Sequence, residues 1–290
     1  MKNITLLIAL ITFVISATAQ NTPSYIPTDS LVGYWGFNGN TDDESGNGNN
    51  GLANGVSLTK DRHGNLNSAY SFDGIDDYIE ILDNGRLNTE YVTVSIWFLT
   101  NTNKSSSLIY KTDDNALNEQ YTCILNYPNT NTTQWSVKNG NNCNSPGSGW
   151  KYTFMPYTSD SIWHNFTLTY DGTKSKIYID SELIIDTVYS MGTIDLCGSK
   201  INIGKGYNST YPFLGSIDEI GIWSRALSES EIKAIYNENV CTDTIQVMVY
   251  DTTYVTVNDT ITHNDTNFVT ISDTIIYYDS VSVAVTDTLI

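Results

Sequence analysis

The 290-residue chain predicts an all-β fold: two antiparallel sheets packed as a sandwich, a short helix near the end, and an extended Asp/Thr-rich tail. Three observations carry this. Short runs of alternating apolar and polar residues recur across residues 31–240, separated by Asn, Gly, Ser and Asp clusters, as strands and their turns do in β sandwiches. Helical periodicity is absent before Ser228. Hydrophobic residues make up 40% of the chain, enough for a core, while charged residues reach only 16%.

Met1-Lys2-Asn3, the apolar run Ile4 to Ala17 and the small-x-small triplet Ala17-Thr18-Ala19 have the layout of an export signal, residues 1–19, with cleavage before Gln20. The apolar run is too short to span a bilayer, and no later stretch reads as a membrane helix. The expectation is a secreted or cell-surface protein. Residues 20–30 read as a short lead-in.

Within the sandwich, Val92, Val94, Ile96 and Phe98 share one strand face. Lys176–Ile179 and Leu183–Ile185 flank Asp180-Ser181-Glu182, a hairpin pattern. In the run from Gly215 to Trp223, Ile220 and Ile222 point one way, Glu219, Gly221 and Trp223 the other. Ser228 with Glu231 forms a capping box, after which Ile232, Ile235 and Tyr236 recur at helical spacing.

The net charge of −18 repels nucleic acid and anionic membranes. Cys123, Cys143, Cys197 and Cys241 lack zinc spacing, and in an exported protein an even number favours disulfides. Cys123–Cys143 would staple the Gly- and Asn-rich loop between two strands, and Cys197–Cys241 would tie the closing helix to the sandwich. Free structural thiols are the alternative.

Residues 241–290 contain no Lys, Arg, Glu, Gly or Pro. Asp-Thr or Asp-Ser recurs at Asp243, Asp251, Asp259, Asp265, Asp273, Asp279 and Asp287, always an even number of residues apart. In an extended chain this places every Asp on one face, a charged row that opposes edge-to-edge pairing. The zone reads as an acidic stalk or linker, with a second small β domain as the alternative.

Three blocks bear on family. They are Leu31–Asn40 with the Asp43–Gly51 loop, Ala69–Ile79, and the closing strand Gly215–Trp223 with its capped helix. Together they resemble the laminin-G-like, concanavalin-A-like lectin/glucanase jelly roll across residues 31–239. The resemblance implies a jelly-roll sandwich that holds glycans or protein partners more often than it cuts them. It also implies a structural calcium held by Asp43, Asn47, Asn50 and Asp218, a donor set of the oxygen type that calcium takes. The tail resembles Asp-Thr-rich segments of exported proteins from Bacteroidetes-type bacteria, which implies O-glycosylation at sites such as Asp251-Thr252-Thr253 and Asp273-Thr274-Ile275.

Glucanases of this fold carry catalytic carboxyls on one strand face as Glu-x-Asp-x-(x)-Glu. Here Asp218 and Glu219 are adjacent, so strand alternation predicts opposite faces, and Ser216 stands at the place of the first Glu. His63, His164 and His263 have no nucleophile motif beside them, and His164 reads as structural. Asp73, Asp76 and Asp77 read as a turn carrying solvated charge. Twenty Tyr and six Trp favour sugar stacking, with Trp135, Trp150, Tyr152, Tyr207 and Tyr211 as the candidate rings around polar loops. The expectation is therefore non-catalytic recognition of a polysaccharide or surface glycan. A surface or matrix protein ligand (an adhesin role) is the alternative, and a glycoside hydrolase the remote one.

Overall fold

Strand follows strand from Leu31 to Trp223 in the computed structural model, which describes residues 22–112, 118–128, 131–139, 149–156, 159–189 and 192–238, and the backbone of 245–247, 255–261, 269–275 and 283–285. In order these are β1 (Leu31–Trp35), β2 (Gly51–Asn54), β3 (Ser57–Thr59), β4 (Ala69–Asp73), β5 (Tyr78–Ile81), β6 (Val92–Leu99), β7 (Ser106–Thr112), β8 (Tyr121–Leu125), β9 (Thr132–Lys138) and β10 (Trp150–Pro156). Then come β11 (Trp163–Tyr170), β12 (Lys174–Ile179), β13 (Glu182–Val188), β14 (Lys200–Ile203), β15 (Leu214–Trp223) and α1 (Glu229–Asn237). The export signal 1–19, Cys143 and Cys241 lie outside the described residues.

One sheet has the order β13-β12-β11-β6-β15-β4-β3, with β1 also on β15; the other runs β10-β9-β8-β7-β14-β5-β2. All their pairings are antiparallel. The core forms where the inward residues of both sheets meet. Val92, Val94, Ile96 and Phe98, with Ile220 and Ile222, pack against Tyr121, Cys123, Trp135, Val137, Ile201 and Ile203. The all-β sandwich follows from this alternation, as the sequence predicts. At the β12–β13 hairpin, Asp180 and Ser181 both have positive φ (51° and 66°), the type I′ geometry that matches strand twist. Asp180 also accepts from His164 Nδ1 at 2.7 Å, while Asp160 holds Nε2 at 3.2 Å, so His164 is a structural clasp.

A second apolar cluster covers the outer face of the first sheet. Ser228 caps α1 with the full capping box, and Ile232 and Ile235 of the helix pack on Leu31, Tyr34, Tyr178 and Trp223. Residues 22–30 are part of this layer rather than a passive lead-in. Ile26 joins the cluster, and Trp223 Nε1 donates to the Pro27 carbonyl at 2.6 Å.

The register of β15 against β6 breaks between Ile217 and Ile220, so two residues of β15 occupy the span opposite one residue of β6, Trp97. This bulge turns Asp218 and Glu219 to the same side, where one guanidinium takes both. Arg62 reaches Asp218 at 2.5 Å, Glu219 at 2.9 Å and Glu238, just past α1, at 2.8 Å. Its guanidinium lies 4.7 Å over the Trp97 ring, which stacks on Tyr236 of the helix. Tyr25 donates to Glu219 at 2.9 Å. The prediction of opposite faces for Asp218 and Glu219 is thus corrected: alternation fails where a residue is inserted.

Cys123 is a buried free thiol, on the same core-facing side of β8 as Tyr121 and Leu125, so the expected Cys123–Cys143 bridge does not form. Cys197 is not free, and Cys123 is excluded as its partner. The tail is a unit of its own, residues 240–290. Its β16 (Ile245–Val247) pairs with β19 (Val283–Val285), and β17 (Val255–Ile261) with β18 (Val269–Ile275), all antiparallel. The register sets Asp259 opposite Ile271 and Asp273 opposite Val257, so these two acids are not directly opposed.

Replacing Arg62 by Ala leaves three carboxylates around an empty place, and breaking a buried ion pair costs about 3–5 kcal/mol. Urea unfolding of Arg62→Ala should show a loss of that order; a loss under about 1 kcal/mol would remove the cluster from any structural role. Burial, then the Glu219 charge, pushes Asp218 up to about 7 against the pull of Arg62. Its folded value therefore exceeds its unfolded one, the native state holds the proton longer, and stability falls as pH rises from about 4 to about 7. Melting curves over that window should flatten in Asp218→Asn, and an unchanged slope would contradict the assignment. Burial likewise raises the Cys123 thiol far above its ordinary value. Native protein should resist alkylation at Cys123 that denatured protein accepts without reductant.

Candidate functional site

The outer face of the second sheet carries an open cleft of about 410 Å³. Strand parity builds its floor. In β8 and β9 the residues between the core positions, Thr122, Ile124, Gln134 and Ser136, turn outward into the cleft. Thr122 Oγ1 and Ser136 Oγ hydrogen-bond at 2.7 Å, and Gln134 Nε2 donates to Ser136 at 3.2 Å. From β7, Tyr110 donates to Glu119 Oε1 at 2.6 Å, fixing that carboxylate at the cleft's edge.

Aromatic rings make the walls. On the edge strand β10, Trp150, Tyr152 and Phe154 project from alternate positions on one side, while Thr153 and Met155 are buried on the other. Their successive ring centroids are 6.1 and 6.4 Å apart, with planes within 18° and 26° of parallel. Tyr152 and Phe154 are 47% and 49% exposed, so these rings are ready for a ligand rather than consumed by the core. Opposite stand Tyr207 and Tyr211, from the loop between β14 and β15, and Tyr127 after β8. Tyr127 and Tyr211 meet edge to face at 5.5 Å, and the Ser107 N–H donates to the Tyr211 carbonyl at 2.8 Å, fastening the loop to β7. The loop leaves β14 through Gly204, at φ 85°, where a Cβ would come within 2.5 Å of the Phe72 ring. Burial and the neighbouring Tyr127 push the Tyr211 phenol up to about 12, so it stays a neutral donor.

Four of the five expected rings, Trp150, Tyr152, Tyr207 and Tyr211, thus converge. Trp135 does not: it is fully buried in the core, opposite Cys123 in the β8–β9 ladder. Its alternation with Gln134 and Ser136 is the reason, since one parity of β9 faces the core and the other the cleft. Sequence reasoning missed Tyr110, Glu119, Tyr127 and Phe154. Phe154 was within reach, two residues beyond Tyr152 in the same strand.

The four residues expected to hold calcium form no shared cage. Asp43 spends its carboxylate on the N–H groups of Tyr34, Ser45 and Asn49 at 2.9–3.0 Å. Asn50 Oδ1 accepts from Asp43 N, and Asn47 Nδ2 donates to the Leu31 and Val32 carbonyls. Asp218 is bound to Arg62 instead. The oxygens of Asp43 and Asn50 are thus taken up by backbone N–H groups and Asp218 by Arg62, so these four residues do not converge on one point. Asp73, Asp76 and Asp77 lie near one another, but Asp73 and Asp77 accept turn N–H groups from Ile75, Asp76 and Asp73, as expected of a hairpin turn.

Asp218 and Glu219 do converge, but on a guanidinium, and both residues are buried, at 3% and 6% exposure. Two carboxyls serving glycoside hydrolysis must flank a bound sugar. These flank Arg62.

Among solved structures, the chain is similar to domain 4 of AbnA, a GH43 extracellular arabinanase from Geobacillus stearothermophilus, in complex with arabinotriose. The match has a TM-score of 0.57 at 17% identity and covers 71% of this chain and 98% of that domain. It is also similar to the botulinum neurotoxin serotype D ligand binding domain in complex with N-acetylneuraminic acid (TM-score 0.54, 18% identity, 87% of this chain and 63% of that one). A third is the binding domain of botulinum neurotoxin DC in complex with rat synaptotagmin II (0.55, 17%, 80% and 58%). At these identities the likeness is one of fold. Over 95 residues the sequence is 28% and 30% identical to the rat (Rattus norvegicus) and mouse (Mus musculus) proteins named Sushi, von Willebrand factor type A, EGF and pentraxin domain-containing protein 1. The match takes in 29% of this chain and 3% of those much longer proteins. The family model described as concanavalin A-like lectin/glucanases superfamily, of laminin G type, matches residues 73–233, more than half of the sequence. With two antiparallel sheets and a cleft on the outer face of one of them, the chain belongs to that family.

Proposed function

We propose that this protein is an exported, non-catalytic module that binds a polysaccharide or surface glycan in the aromatic cleft of the second sheet. One observation carries the reading: flat rings on β10 and on the β14–β15 loop line one cleft together with a floor of hydroxyl and amide groups. Sugars present apolar C–H faces and hydroxyl edges, and this cleft offers surfaces of both kinds. The floor groups stand on paired strands, so little ordering is needed when a ligand arrives. Export rests on the layout of residues 1–19. Among the described residues no helix is long and apolar enough to cross a membrane. The Asp/Thr-rich tail would then serve as the spacer that holds the module away from its anchor.

A protein ligand is the second reading. The edge strand β13 exposes Leu183, Ile184 and Val188, an apolar row beside unpaired backbone groups. That surface is separate from the cleft residues, so mutations tell the two readings apart.

In a glycan array followed by calorimetry, Trp150→Ala and Tyr152→Ala should each weaken binding at least about tenfold, or about 1.4 kcal/mol. Tyr152→Ala should leave the melting temperature nearly unchanged, because the ring is half exposed. Trp135→Ala, by contrast, should destabilise the fold by about 3–5 kcal/mol, as large core truncations do. Glycan affinity indifferent to both cleft substitutions would sink the assignment of the site. Turnover of the bound polysaccharide would sink the non-catalytic reading.

A further inference from the structure

The cleft's charge narrows its ligand class further. Of the twelve residues that line it, Glu119 is the one that carries a charge, and none is Lys or Arg. Glu119 is 8% exposed and accepts from the Tyr110 hydroxyl at 2.6 Å, so its carboxylate cannot swing away from an incoming ligand without breaking that bond. Burial first, then the Glu119 charge, raises the Tyr152 phenol, and burial with the Glu119 hydrogen bond raises Tyr110 still more.

Resting on the glycan-binding reading, we propose that this cleft selects uncharged sugars and rejects carboxylated or sulfated ones, with Glu119 as the specificity-determining residue. Rings and hydroxyls accept a neutral pyranose or furanose chain. A uronate, sialate or sulfate brought between those rings would place a second negative charge beside a held carboxylate, in a site that water only partly screens. It would meet no basic side chain among the lining residues. The overall charge of −18 opposes the approach of polyanions in the same sense. No Lys or Arg among these lining residues supplies the charge-assisted hydrogen bonds that favour a carboxylate or sulfate.

The test is a glycan panel of neutral glucans, xylans, arabinans and mannans beside polygalacturonate, alginate, sulfated and sialylated glycans. It is followed by the best neutral ligand and its carboxymethylated derivative. Binding confined to neutral chains, with the carboxymethylated form at least about tenfold weaker, supports the inference. Glu119→Gln, which keeps an oxygen for Tyr110, should shrink that neutral-to-charged ratio about tenfold. Should this variant not fold, raising salt on the native protein should narrow the same ratio, because ions screen the repulsion. Acidic glycans bound as well as neutral ones, or a ratio untouched by both the substitution and salt, would overturn the selectivity while leaving the glycan site intact. A panel with no ligand at all would instead overturn the glycan-binding reading on which it rests.

Discussion

The period of two in β8, β9 and β10 fixes what the second sheet offers its surroundings at the cleft. One parity builds the core from Tyr121, Cys123, Trp135, Val137 and Met155; the other presents Thr122, Gln134, Ser136, Tyr152 and Phe154 to the cleft. The two sets are rigidly coupled, because moving a strand by one residue exchanges them. A ligand site of this kind draws its precision from core packing on the other side of the same sheet. That coupling explains why Trp135, adjacent to two cleft residues, lies in the core and not in the cleft.

Arg62 is the complementary device on the first sheet. It is tied to β15, to the end of α1 and, through Glu219 and Tyr25, to the segment before β1. Sequence neighbours cannot do this: the Arg62–Asp218 contact spans 156 residues. The three carboxylates hold Arg62 charged, while burial first, and then the Glu219 charge, pushes Asp218 the opposite way, towards its neutral form. The directions are compatible, since the cation is over-satisfied and the most buried anion is under-satisfied. The family resemblance implied that Asp218 would hold calcium together with the Asp43 loop. In this chain Asp43 accepts from N–H groups of its own loop and of Tyr34, and Asp218 pairs with an internal cation.

How much of this could be read in advance follows from the physics of each feature. The alternation at Val92–Phe98 and the Ser228–Glu231 cap are local signals, and both appear in the structure where the residues placed them. The cleft's rings were legible as residue types near polar loops, but only strand parity separates Trp150 and Tyr152 from Trp135. The same parity places Cys123 in the core, away from any partner on the outer side. The bulge at Asp218–Glu219 was not legible, because an inserted residue breaks the very periodicity used to assign faces. Arg62 was invisible for a different reason: a loop residue paired across the fold leaves no periodic trace. Tyr110 and Glu119 were missed because their partnership joins a strand to a loop.

The acidity of the chain acquires a meaning once the cleft is located. A net charge of −18 keeps a protein soluble, which accounts for most surface carboxylates without further function. Glu119 is different, since a carboxylate that is nearly buried carries a desolvation penalty that surface acids avoid. The Tyr110 hydroxyl offsets part of that penalty. In the selectivity proposed above, that held carboxylate would act against one class of ligand while leaving the stacking surfaces open to another.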